Sequence, residues 1–205
     1  MTWGLSGPHG CGKTTLAKAI SEKSGVHFLE FNTTAICAEI GVSPVTELDI
    51  SERLKVQEHI LNRFWEISQA APRPFISDRT PLDFAAYMLG EVRMGTARET
   101  NASLFDIPID LFVDRCLRAT SNTYIGVILL DRLPTYAVDP KRPAPSRSYQ
   151  REFSALVKGL AFQAHNVNAC HVFPDDFESR LTLAENTMEV VNAKFYRERA
   201  NLVLC

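Results

Sequence analysis

Short apolar runs and longer amphipathic segments alternate along the chain. The clearest run, Tyr124 to Leu130, is almost continuously apolar, as expected of a parallel strand covered by helices on both faces. The predicted strands are 2–6, 26–31, 74–77, 124–130 and about 170–173. The segments between them space apolar residues by three or four positions, which is typical of amphipathic helices. The predicted helices are 14–23, about 45–70, 81–92, 102–121 with an interruption at Pro108, 149–163 and 176–201.

Strands that alternate with helices favour an α/β fold, in which an open parallel sheet carries helices on both faces. The chain has 205 residues, of which 45% are hydrophobic, and this is enough for one full core. The sequence contains no internal repeat, low-complexity tract or linker, so we predict a single domain over 1–205. Ligands of such sheets bind at the carboxyl ends of the strands. Polar residues that follow strands should therefore converge at one edge.

The residues after the first predicted strand, Gly7 to Thr14, match the phosphate-loop pattern G-x-x-x-x-G-K-[ST]. Glycines let successive backbone N–H groups surround phosphate oxygens, and the N-terminus of the following helix adds partial positive charge. We expect Lys13 to reach the β- and γ-phosphates of ATP and Thr14 to ligate Mg²⁺. His9 and Cys11 occupy free positions of the pattern and are expected to contribute backbone groups. The predicted nucleotide-binding residues are Gly7, Pro8, His9, Gly10, Cys11, Gly12, Lys13, Thr14 and Thr15.

An acidic residue and an arginine, Asp78 and Arg79, follow the third predicted strand. A carboxylate at a strand end can hold Mg²⁺ or accept a proton from an acceptor hydroxyl, and the guanidinium can bind a phosphate through two hydrogen bonds. The alternative is a surface ion pair. Asp131 is a competing candidate, because an apolar strand that ends in Asp is the generic form of a Walker B site. We favour Asp78 as the catalytic and metal-binding residue because Arg79 stands beside it and a helix follows directly.

The segment from about 131 to 151 is rich in proline and in basic residues, with five cations against Asp131 and Asp139. Such a charge run can be a solvated surface. It can also be a lid whose arginines close over the transferred phosphoryl group and exclude water. The predicted catalytic arginines of this lid are Arg142, Arg147 and Arg151.

Motifs of other P-loop classes are missing from the sequence. It contains no N-K-x-D guanine-binding motif and no L-S-G-G-Q signature of transport ATPases, and it offers no additional helical lid domain of the kind that ring ATPases carry. These absences favour a kinase that uses ATP and Mg²⁺. The contrasting hypothesis is a non-catalytic or regulatory module that binds ATP and is recognised by a partner.

The combined motifs resemble the small P-loop kinases of nucleosides and nucleotides. Asp78 and Arg79 are similar to the Asp-Arg pair of thymidylate-kinase-like enzymes, and 129–134 with Asp139 and Arg142 resembles the lid entry of nicotinamide-riboside-kinase-like proteins. The resemblance implies a three-layer P-loop kinase fold and transfer of the γ-phosphate of ATP to a nucleotide-type acceptor. A similarity to bacteriophage kinases implies either a deoxynucleoside (mono)phosphate or the hydroxymethyl group of 5-hydroxymethyluracil in DNA.

The net charge of -2 does not choose between these acceptors. A DNA acceptor needs a local basic cleft, which the lid permits, whereas a free nucleotide needs a closed pocket with aromatic walls. The candidate aromatic residues are Phe31, Phe64, Trp65, Phe84 and Tyr87, which can equally be core residues.

The expected compartment is the cytoplasm, or that of a host cell if the protein is viral. No run of eighteen apolar residues occurs and the first strand begins at residue 2, so we expect neither a membrane partner nor a signal peptide. The five cysteines are widely spaced and are expected to be free thiols, and no structural metal is expected.

Overall fold

The structure is a computed structural model that describes residues 1–43, 46–96, 105–134 and 146–203. The strands are β1 (Trp3–Ser6), β2 (His27–Leu29), β3 (Phe75–Ser77), β4 (Gly126–Leu130) and β5 (Asn168–Val172). The helices of the described ranges are α1 (Lys13–Ser24), α2 (Thr33–Glu39), α3 (Ile50–Ala70), α4 (Pro81–Thr96), α5 (Asp106–Thr123), α6 (Arg147–Gln163) and α7 (Phe177–Val203). All strand pairs are parallel, which confirms the predicted α/β class.

The sheet separates two hydrophobic layers. Alternate residues of β4 point to opposite faces, so Ile128 and Leu130 pack with α1 and α7, whereas Val127 and Leu129 pack with the layer formed by α2 to α6. Every residue of β4 is buried for this reason. The continuous apolar run that marked this strand in the sequence reflects the two covered faces.

Two predictions of local structure were wrong. Helix α5 runs through Pro108 without interruption, because Pro108 is the third residue of the helix, where a backbone N–H has no partner within the helix. The polar segment 32–34 follows the predicted strand 26–31 and belongs to none of the predicted helices, but it begins the short helix α2, and the Asn32 side chain caps this helix by accepting a hydrogen bond from Ala35 N at 3.1 Å.

The structure also describes the state of the cysteines and the character of the helices. The described cysteines, Cys11, Cys37, Cys116 and Cys170, are free thiols. Among the described residues, no helix has the length and apolar character that crossing a membrane requires.

The strand order is β2-β3-β1-β4-β5, with β1 between β3 and β4. The phosphate loop follows β1, Asp78 follows β3 and Asp131 follows β4. Because parallel strands end at the same edge, this order places one acidic residue on each side of the loop. The two candidate carboxylates are therefore distinguished by their contacts and not by their position in the sheet alone.

Candidate active site

The phosphate loop has the backbone conformation that its glycines allow. Gly7, Gly10 and Gly12 have positive φ angles of 153°, 74° and 88°. A Cβ at Gly7 would lie 2.5 Å from the carbonyl oxygen of Leu130, so no other residue fits against β4 there. Gly12 precedes α1 and provides no side-chain cap, which leaves the first N–H groups of the helix available to an anion.

Lys13 is buried, with 7% of its surface exposed, and its ammonium group bends back over the loop. Nζ donates to the carbonyl oxygens of Gly7 at 2.6 Å and Pro8 at 3.1 Å. These two bonds compensate the burial of the charge and hold the ammonium group at the loop.

Asp78 lies directly beside the start of α1. Its Oδ2 accepts a hydrogen bond from Thr14 Oγ1 at 2.6 Å, and its Oδ1 accepts one from Phe31 N at 3.0 Å. The carboxylate thus joins the ends of β2 and β3 to the phosphate loop, and 5% of the residue is exposed. The arrangement brings an acidic group and a hydroxyl together where the sequence predicted a metal site.

Arg79 retains a positive charge in this setting. Burial acts to lower the pKa of its guanidinium, but Tyr87, Asp83 and Asp78 outweigh this effect and raise the pKa above its ordinary value.

A pocket of about 510 Å³ lies between the phosphate loop and the ends of β2 and β3. It collects nine predicted site residues, which are His9, Gly10, Cys11, Gly12, Lys13, Thr14, Thr15, Asp78 and Arg79. It also contains Glu30, which sequence reasoning missed because a single acidic residue after a short strand matches no motif. The pocket is lined by His9, Gly10, Cys11, Gly12, Lys13, Thr14, Thr15, Glu30, Phe31, Asn32, Thr33, Thr34, Asp78, Arg79 and Leu133.

Asp131 has different partners. It accepts hydrogen bonds from Lys158 at 2.8 Å and pairs with His171 at 2.6 Å. Burial opposes ionisation, but these two partners outweigh it and lower the pKa of the Asp131 carboxyl. Asp131 does not line the 510 Å³ pocket. Asp78 therefore shares the pocket with the phosphate loop, and its assignment as the acidic residue of the site stays a prediction.

Neither of the two described lid arginines, Arg147 and Arg151, lines this pocket. Arg142 lies outside the described residues, Arg147 is the first residue of α6, and Arg151 lines a separate cavity of about 530 Å³ with Asp131 and Lys158. Gln150, between the two described arginines, donates to the carbonyl oxygen of His9 at 2.9 Å. The start of α6 is thus attached to the phosphate loop, and the role of its arginines stays a prediction.

A buried arginine that the sequence did not indicate, Arg180, supports the loop from the other side. Its guanidinium donates to the carbonyl oxygens of Cys11 at 2.7 Å, Asp131 at 3.2 Å and Pro174. It therefore joins the phosphate loop to the loops that follow β4 and β5. A lone arginine within an amphipathic helix carries no signal of such a role.

Most of the candidate aromatic residues do not form an open acceptor wall. The rings of Phe31, Phe64 and Phe84 pack on one another in the core, with centroids 5.4–6.0 Å apart. Of this trio, Phe31 also lines the pocket. Trp65 is 45% exposed on α3, and Tyr87 contacts Arg79 and Phe153.

Comparison with known proteins identifies the fold. The sequence model of the AAA domain family matches residues 4–180. No curated protein sequence matches the chain. Deoxyadenosine kinase from M. mycoides with bound dATP superposes with a TM-score of 0.65 at 18% identity, over 92% of this chain and 99% of that chain. The same kinase with bound dCTP gives 0.64 at 15% identity, over 93% and 100%.

A third solved structure, the NadR protein in complex with NAD and AMP-PNP, has a TM-score of 0.59 at 14% identity and covers 93% of this chain and 49% of that chain. The TM-scores show a shared fold, and at these low identities the likeness extends to the fold alone. They confirm the three-layer architecture that the resemblance to P-loop kinases implied.

Proposed function

The chain belongs to the AAA domain family, and within this family we propose that it is an ATP-dependent kinase that transfers the γ-phosphate to a nucleoside-type or nucleotide-type acceptor. One observation carries the proposal. The phosphate loop opens into the same pocket as Asp78, Arg79 and Glu30, so donor-binding and acceptor-binding groups line one space. The fold shared with deoxyadenosine kinase from M. mycoides supports the same conclusion.

The donor phosphates would be held by the loop and Lys13. No side chain caps the N-terminus of α1, so its first N–H groups are available to bind the phosphate anion. Lys13 would exchange its bonds to Gly7 O and Pro8 O for bonds to the β- and γ-phosphate oxygens. The ammonium group is already at the loop, so little reorganisation is needed when ATP binds.

The residues for Mg²⁺ would be Thr14 and Asp78. Their side-chain oxygens lie 2.6 Å apart, and a hydroxyl with a carboxylate is the hard oxygen donor set that Mg²⁺ prefers, directly or through water. Mg²⁺ bound there would neutralise the charge of the phosphates during transfer.

Glu30 is the residue we favour as the acceptor of the substrate proton. Both oxygens of Asp78 already accept hydrogen bonds, from Thr14 and from Phe31 N, and this leaves Asp78 committed to the loop. Glu30 is an exposed carboxylate in the same pocket. It can accept a proton from an acceptor hydroxyl, while Arg79 binds the transferred phosphoryl group.

A free deoxynucleoside or its monophosphate is the favoured acceptor. The pocket volume of about 510 Å³ is in the range of small-molecule sites. Among its described lining residues, two cations, Lys13 and Arg79, are balanced by two carboxylates, Asp78 and Glu30. This balance provides no stripe of positive charge for a DNA backbone. The basic composition of 131–151 keeps 5-hydroxymethyluracil in DNA as the second candidate.

The deciding experiment is incubation with γ-labelled ATP, Mg²⁺ and a panel of acceptors: deoxynucleosides, their monophosphates, nicotinamide riboside, and DNA with or without hydroxymethylated pyrimidines. We expect the label in a deoxynucleoside or its monophosphate. Label in modified DNA alone would support the second candidate. Slow release of free phosphate, with no labelled acceptor, would support the regulatory module instead.

A further inference from the structure

Asp83, in the first turn of α4, joins two parts of the site through one carboxylate. Its side chain is fully buried, with 0% of the residue exposed. Oδ1 accepts a hydrogen bond from Gly7 N at 3.1 Å, and Oδ2 accepts one from Thr80 N at 3.1 Å. Gly7 is the first residue of the phosphate loop, and Thr80 directly follows Arg79.

Part of this arrangement is ordinary helix capping. Thr80 caps α4, since its Oγ1 accepts from Leu82 N at 3.2 Å, and Asp83 returns a bond to Thr80 N in the manner of a capping box. The same chain contains a capping box at α3, where Asp49 and Glu52 exchange bonds of 2.8 and 3.0 Å. That box is exposed. Capping therefore requires neither full burial nor a bond to a distant loop.

Full burial of a carboxylate is costly, and burial raises the pKa of Asp83 although Lys13 and Arg79 act in the opposite direction. The two N–H donors compensate part of this cost. A further hydrogen bond crosses the same junction, between Ser6 Oγ and Thr80 Oγ1 at 2.5 Å. Thr80 is thus linked directly to Ser6 at the end of β1 and, through Asp83, to Gly7 at the start of the phosphate loop.

We propose that Asp83 is a positioning residue that sets the distance between the phosphate loop and the Asp78–Arg79 pair. The inference rests on the proposed kinase function. By holding Gly7 N, Asp83 determines where the carbonyl oxygens of Gly7 and Pro8 lie, and Lys13 binds these two oxygens. By holding Thr80 N, it fixes the chain that carries Asp78 and Arg79. The distance between the donor-binding loop and the acceptor-binding pair Asp78–Arg79 is then fixed.

Two substitutions separate positioning from capping. Asp83→Glu keeps the negative charge and introduces glutamate, a residue that capping boxes commonly use at this position. The added methylene, however, displaces the carboxylate from Gly7 N. Asp83→Asn keeps the size of the side chain, but its NH₂ group cannot accept a hydrogen bond, so one of the two backbone N–H donors loses its acceptor. The matched control is Glu52→Gln, which weakens the capping box of α3, outside the pocket.

The measurements are the melting temperature, the affinity for MgATP without acceptor, and kcat and KM with acceptor. We expect Glu52→Gln to lower the melting temperature by about 2–4 °C, the effect of about 1 kcal/mol in a chain of this size, with kinetic constants close to wild type. We expect Asp83→Glu and Asp83→Asn to lower kcat by roughly a hundredfold, as displacements of about 1 Å can do. If kcat of Asp83→Glu equals that of wild type, Asp83 has only a capping role and the proposal is overturned.

Asp83→Glu also decides the question if Asp83→Asn fails to fold. If wild-type protein labels no acceptor, the kinase proposal fails, but MgATP affinity still tests the position of the loop. Binding by Asp83→Glu at least about tenfold weaker than binding by Glu52→Gln, a difference of about 1.4 kcal/mol, would support the inference. Equal affinities would overturn it.

Discussion

Replacement of Asp78 by asparagine tests the assignment of the acidic residue. The carboxylate accepts one hydrogen bond from Thr14 Oγ1 and one from Phe31 N. Asparagine can keep both contacts, because its Oδ1 can accept from Phe31 N while its amide nitrogen donates to the Thr14 hydroxyl. The substitution therefore removes the charge and preserves the local packing.

The expected loss of stability is small. A hydrogen bond to a charged group contributes about 1.5–3 kcal/mol and a neutral one about 0.5–1.5 kcal/mol, so two bonds together lose roughly 2 kcal/mol. Since Asp78 is 5% exposed, the lower cost of burying a neutral amide offsets part of this loss. The expected loss of activity is larger, because removal of one preorganised electrostatic group lowers kcat by roughly 10²–10³. A hundredfold loss corresponds to about 2.7 kcal/mol.

The assay compares Asp78→Asn with Asp131→Asn by steady-state kinetics and thermal unfolding. Asp78→Asn should lower kcat far more than it lowers the affinity for ATP. Asp131→Asn should leave kcat near the wild-type value, because Asp131 is bound to Lys158 and His171 outside the pocket. A greater loss of kcat in Asp131→Asn than in Asp78→Asn would refute the assignment.

Three further predictions follow from the same geometry. Lys13→Ala should abolish phosphoryl transfer while circular dichroism shows an intact fold, and a fully active variant would contradict the donor site. Glu30→Gln should lower kcat about 10²–10⁴-fold with unchanged MgATP affinity, whereas full activity would return the proton-accepting role to Asp78. The lowered pKa of Asp131 means that its ion pairs stabilise the fold above the unfolded-state pKa, about 3.9, and that this contribution is lost as the pH falls through the folded-state pKa. Asp131→Asn should therefore lower the melting temperature at pH 7 and cease to differ from wild type in acid, and a difference independent of pH would exclude the ionic contribution.

The donor half of the site could be predicted from local sequence because its chemistry depends on consecutive residues. A phosphate loop needs glycines at defined positions, and Gly7 and Gly12 indeed have positive φ angles. The pair Asp78 and Arg79 was selected as a candidate for a similar reason, since two adjacent residues at a strand end form a recognisable pattern. The pocket contains both groups.

Glu30, Asp83 and Arg180 could not be found in this way. Asp83 contacts Gly7 across 76 residues of sequence, and Arg180 contacts Cys11 across 169. Each is a single charged residue in an element of ordinary composition. The contacts of each residue depend on which loops lie next to one another in the folded chain, and no rule of sequence spacing predicts this.

The sequence by itself determined the succession of strands and helices, the phosphate loop and the pairing of Asp78 with Arg79, because each depends on residues close together in the chain. It favoured Asp78 over the competing Asp131 only because Arg79 stands beside it and a helix follows, since both acidic residues follow a strand. The tertiary structure separates the two carboxylates by their contacts. Strands β3 and β4 flank β1 on opposite sides, and contacts across the folded chain place Asp78 beside Thr14 and Asp131 beside Lys158 and His171. Strand order and side-chain partners depend on packing between distant segments, which no local pattern encodes.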